Sequence, residues 1–172
     1  MAAYHGVKQR SAKLDEAILA KPRGGKDPTF TAWAVRGFWD FRKSVPAELV
    51  QAGLTSEEPR ARAAAAQAVA SQGGKDAAGP LLPLLADRDE QVRAAAARSL
   101  GGLDLGKDRD RVIGAMVSAL DLPGEHARQV ICEALGRLTG RPMPYDPKAD
   151  EAKRTQAIQA WKEWAKSRQG AP

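Results

Sequence analysis

The chain has 172 residues, 43% of them hydrophobic but only 5% aromatic, and its 27 Lys/Arg against 21 Asp/Glu give a net charge of +6. This is the size of one domain with one elongated core. The single cysteine, Cys132, excludes an internal disulfide and any multi-cysteine metal site, and no apolar run approaches the roughly 18 residues a membrane-crossing helix needs.

Alanine is the main apolar residue, and the strand-favouring residues never alternate over a strand's length, so an all-helical chain without a sheet is expected. The charge is unevenly placed: residues 1–45 hold 9 Lys/Arg against 4 acids, and the remainder 18 against 17. Any basic patch therefore belongs to the N-terminal segment, and the pI of about 9.7 says nothing about the body of the chain.

Residues 1–44 form the first segment. Charged residues interrupt its opening, MAAYHGVKQRSAKLDEAILAKP, leaving no apolar core for an export signal. The cytoplasm is the default expectation, with export following only for a processed or excised segment. Residues 7–21 read as an amphipathic helix through Leu14, Ala17 and Ile18, and residues 21–26 as a loop. A second helix over 27–43 carries Phe30, Trp33, Ala34, Gly37, Phe38 and Phe41 on one face and Trp39 on the other. Its bland reading is an inner helix packed against the stack. Its sharper reading is a cationic, aromatic docking patch of Arg36, Trp39, Arg42 and Lys43.

Residues 45–140 repeat. Units over 45–73, 77–103 and 108–139 each have an apolar half, a polar turn and a second apolar half opening with an arginine: Arg62, Arg93 and Arg128, spaced 31 and 35 residues apart. Three, four and seven positions after each arginine come small or apolar residues: Ala65, Ala66 and Val69; Ala96, Ala97 and Leu100; Ile131, Cys132 and Leu135. That spacing is one face of a helix. Thr55 with Glu58, and Asp87 with Glu90, have the spacing of capping boxes, while Pro123-Gly124 breaks the third pair. Each unit is thus helix, turn, helix, and its apolar stripe is buried only when neighbours stack.

The run from Asp87 to Gly101, D-x-D-x-x-V-R-x-x-A-A-x-x-L-G, resembles the short bacterial form of the HEAT-like repeat, the type also seen in bilin lyases. The third unit keeps the pattern in Ala127-Arg128 and Ala134-Leu135-Gly136, while the first has Ala70 in place of the glycine. The resemblance implies an α-solenoid of about three helix pairs with capping helices at both ends. It also implies a ladder of turn aspartates and second-helix arginines, Asp87 with Arg93 and Asp121 with Arg128, where Arg62 has Ser56 or Glu57 for company.

Residues 141–172 close the chain. Asp146 and Pro147 suggest the N-cap and first residue of a helix whose Ala157, Ile158, Trp161, Trp164 and Ala165 share one side, which reads as a lid on the core.

Little in the chain suggests catalysis. His126 and Cys132 fall on different sides of a helix, and no phosphate loop, nucleophile elbow, zinc motif or other metal-ligand set occurs. No cofactor, metal, membrane insertion or small-molecule substrate is expected. Two enzyme types built on similar repeats, bilin lyases and alkylpurine DNA glycosylases, remain remote alternatives because nothing beyond the repeat points to either. The expected function is a non-enzymatic interaction module or scaffold. It would hold a protein partner in a groove lined by Gln67, Arg98, Gln129, Glu133 and Arg137, on the outward side of the second helices. Nucleic-acid binding through the basic N-terminal segment is the rival.

Overall fold

The computed structural model describes residues 45–74, 76–141, 145, 146 and 148–169. The N-terminal segment, with the two helices and the patch of Arg36, Trp39, Arg42 and Lys43 expected there, lies outside them. The described residues are all-α, without a strand.

The turns dictate where the helices begin. Helix α1 (Ala47–Leu54) ends at Thr55, whose hydroxyl donates to the Gln51 carbonyl at 3.1 Å. Helix α2 (Pro59–Gln72) opens with a proline, where the missing N–H would have had no partner in any case. Helix α3 (Ala78–Leu81) is short because Pro83 breaks it, and the chain continues as a tight turn over Pro83–Ala86. Helix α4 (Glu90–Leu100) is capped by Asp89, which accepts from the amides of Gln91 and Val92 at 2.9 and 3.2 Å. Helices α5 (Arg109–Ala119), α6 (Glu125–Thr139) and α7 (Glu151–Gln169) follow.

The two expected capping boxes do not form. Pro59 takes the first helical position, so Glu58 becomes the N-cap of α2 and accepts from Arg60 at 3.4 Å. In the second turn Asp87 is occupied elsewhere and Asp89 caps instead. The last helix likewise begins later than Pro147. Asp146 takes the amide of Lys148 in a local turn, and Asp150 accepts from the Lys153 amide at 2.9 Å, the reach of an N-cap.

Helices α2, α4 and α6 pack side by side, with α1 against α2, the turn over Pro83–Ala86 against α4 and α5 against α6. The positions three, four and seven after each arginine are buried, as the periodicity demands. Leu81, Leu84, Leu85, Ile113, Met116 and Val117 of the first helices fill the space that the alanines leave. Small side chains let the second helices come close. A Cβ at Gly101 would sit 2.8 Å from that of Ala134, inside van der Waals contact.

At the C-terminal end, α7 lies against α5 and inserts Trp161, which is fully buried and meets Trp164 edge-on at 5.4 Å and 83°. Burying one tryptophan removes about 150–250 Å² from water, worth roughly 4–6 kcal/mol. Its ring has no exposed face, as expected of a lid residue.

The junctions between units rest on the arginines, though not as the ladder expectation had it. Asp87 does not pair with Arg93 of its own unit. Arg62 reaches across to it from the preceding unit, with Nε 2.7 Å from Oδ2 and Nη2 2.7 Å from Oδ1, while its Nη1 donates to the Ser56 and Glu57 carbonyls. The geometry explains the difference. Arg62 and Arg93 each send Nη1 back to their own turn's backbone, Arg93 to the Asp87 carbonyl at 2.6 Å, and each reaches forward to the next unit with Nη2. Arg93 meets the Pro123 carbonyl there. Asp121, expected with Arg128, is instead held by Lys162 of α7 through both oxygens at 2.7 and 2.9 Å.

The Arg62–Asp87 pair is nearly shut off from water, with side chains 8% and 9% exposed. Burial pushes the Asp87 carboxyl up, but the hydrogen bonds from Arg62 and the Asp89 amide, with the Arg62 charge, outweigh it and hold the pKa below its ordinary 3.8. A depressed carboxylate stabilises the fold above its unfolded pKa and loses that contribution as the pH falls through the folded value. Asp87→Ala is therefore expected to lower stability by about 3–5 kcal/mol at pH 7. Urea midpoints should show the gap between wild type and variant narrowing as the pH drops below about 4. Gly101→Ala, where backbone φ is no obstacle, should cost about 1–3 kcal/mol through the clash with Ala134, readable in the same melts.

Candidate functional site: the outward rows of the second helices

Because α2, α4 and α6 lie in order, residues sharing a register form rows across them. Five positions after the arginines stand Gln67, Arg98 and Glu133, and nine positions after come Ser71, Gly102 and Arg137. All but the half-buried Gln67 are exposed. Gln129 lies one turn before Glu133 on α6 and donates Nε2 to its carboxylate at 3.2 Å. Arg137 leans toward the end of α4, its Nη2 falling 3.1 Å from where a Gly101 Cβ would be. The glycine thus leaves room for the arginine to approach the helix that bears Arg98.

The thiol and the acidic side chains do not form a reactive centre among the described residues. Cys132 occupies the register of Ala66 and Ala97 and is buried; that burial, with Glu133 nearby, pushes its thiol up to about 12. A thiol with that pKa is almost wholly protonated near neutrality and a poor nucleophile. Among the described residues no group of three or more His, Cys, Asp or Glu side chains is placed to hold a metal ion.

The turn edge holds features that sequence reasoning missed. Gly124 is the N-cap of α6 and offers no side chain to its first amides. Glu90 of the preceding unit supplies the missing group, accepting from the Ala127 amide at 3.1 Å. A side chain at Gly124 would collide with Glu90 and Arg93, and its φ of 118° suits glycine. The sequence signal was the absence of a capping residue at that turn. Lys162 gave no such signal, since its partner Asp121 lies 41 positions away.

The sequence matches HEAT repeats over residues 16–101 and again over 80–152, together spanning most of the chain. The chain belongs to the HEAT-repeat family. The first match begins upstream of α1, so the HEAT pattern reaches into the N-terminal segment. No curated protein matches the chain. Within the HEAT stack, none of the described helices is long and apolar enough to cross a membrane.

The buried thiol yields a direct check. Cys132 should stay unreactive toward a disulfide reagent at pH 8 while the HEAT units are folded, and titrate as one thiol in denaturant.

Proposed function

We propose that the protein is a non-catalytic docking module that holds a protein partner against the outward rows of α2, α4 and α6. The observation that carries this reading is the row itself. Three helices held close by small residues present Arg98, Glu133 and Arg137 on one surface, and exposed side chains of both signs on a rigid support suit a partner helix or loop of mixed charge. Solenoid surfaces of this kind bind by shape and charge over an extended area. Three units limit the contact to a segment about one helix long, so a single partner element fits better than a wrapped domain.

The family alternatives with enzymatic activity draw no support from these rows. Their one carboxylate, Glu133, is engaged by Gln129. A second reading, nucleic-acid binding, is favoured by the surplus of +5 in residues 1–45, whereas the remainder of the chain is nearly neutral.

Partner capture from the native source should yield a stoichiometric protein. Exchanging Arg98 and Arg137 for glutamate should then weaken the purified complex at least about tenfold, close to 1.4 kcal/mol, with circular dichroism unchanged. An unaffected complex would remove the rows from consideration. A steep fall of binding to single-stranded nucleic acid between two salt concentrations, lost on neutralising Lys21, Arg23, Lys26 and Arg42, would decide for the rival.

A further inference from the structure

The three unit arginines form a series that ends unfinished. Arg62 grips the carboxylate of the next unit's turn, Arg93 grips the next turn's carbonyl, and among the described residues the helix that follows the unit of Arg128 is α7. Its Nε turns back to the Leu120 carbonyl at 3.1 Å, which fixes the side chain and leaves both Nη groups for other partners.

Arg128 lines a half-open cleft of about 260 Å³ between the α5–α6 turn and α7. Leu120 and Ile158 are its apolar lining, and Arg154 enters from α7 with Nη1 tied to the Ala149 carbonyl. Both guanidiniums are thus positioned by backbone carbonyls, and among the described residues neither has a carboxylate within ion-pair distance. The buried hydroxyl of Tyr145 makes no hydrogen bond of regular geometry, yet Arg128 lies close enough to act on it through both its charge and a side-chain contact, and the Arg154 charge bears on it as well.

We propose that this cleft binds a carboxylate of a partner peptide, placed between Arg128 and Arg154. A planar carboxylate matches a guanidinium fork, as the Arg62 pair shows on its Nε–Nη2 edge; on Arg128, whose Nε is held by Leu120, the edge left is Nη1–Nη2. The charge count also selects a single negative charge. Lys162 is neutralised by Asp121, leaving the two arginines against Glu151, a net of +1 that suits a monoanion better than a phosphate dianion. Leu120 and Ile158 give the ligand's aliphatic portion a contact surface. This site lies apart from the outward rows, so either can fail without the other.

The test is an NMR titration of the full-length, isotope-labelled protein with four probes: N-acetyl-glutamyl-leucinamide, its glutaminyl counterpart, N-acetyl-leucine and inorganic phosphate. Saturable shifts at the Thr155 and Ile158 amides with the glutamyl probe, absent with the glutaminyl one, are the expected result for a side-chain carboxylate. The same shifts with N-acetyl-leucine assign the site to a chain terminus and equally support the proposal. Arg154→Gln should weaken binding at least about fivefold while the remaining spectrum is kept. That variant is preferred to a change at Arg128, which also anchors its own turn. The double variant of Arg98 and Arg137 should bind the probe as wild type does. Equal shifts from the glutaminyl probe, tighter binding of phosphate, indifference to Arg154→Gln, or no saturable shift at millimolar concentration would each overturn the assignment.

Discussion

Arg62 holds a positive charge almost out of water and spends every donor nitrogen of its guanidinium on two adjoining turns: Nη1 on the backbone of its own, Nε and Nη2 on Asp87 of the next. A buried charge left without such partners is destabilising by several kcal/mol, so the second unit must sit where Asp87 can reach. That requirement fixes the stagger of α2 on α4, and the alanine faces and Gly101 then determine how closely the helices approach. The outward rows inherit their alignment from this contact.

The second junction reaches a similar geometry by other means. Arg93 meets a backbone carbonyl, and the acidic group moves to Glu90, which caps α6 where Gly124 cannot. Gly124 is also the residue whose lack of a side chain makes the space for both. One short turn therefore combines a stop, a cap accepted from a neighbour and an arginine anchor. Apolar burial sets the strength of the stack, and these polar contacts set its register.

Much of this was legible in advance. The spacing of Arg62, Arg93 and Arg128 and the residues three, four and seven beyond them predicted the buried face residue by residue, because helical periodicity depends only on local geometry. The lid was legible for the same reason, since Trp161, Trp164 and Ile158 share a side. The pairings were not. Asp87 lies six residues from Arg93 and 25 from Arg62, and proximity along the chain favoured the wrong partner. The direction a buried arginine points depends on which backbone carbonyl holds its first nitrogen, which periodicity does not encode. The same blindness hid Lys162 beside Asp121 and the cleft next to them, both of which exist only because α7 folds back on α5.

The two junctions differ in one respect that bears on how the stack comes apart. The first is an ion pair whose acid titrates, while the second joins a guanidinium to a peptide carbonyl, which does not. In a linear array each unit is stabilised chiefly by its neighbours. Acidity therefore weakens the arginine grip between the first and second units, while the guanidinium–carbonyl grip between the second and third has no proton to gain. The two arginine contacts thus do the same positional work while differing in what can undo them.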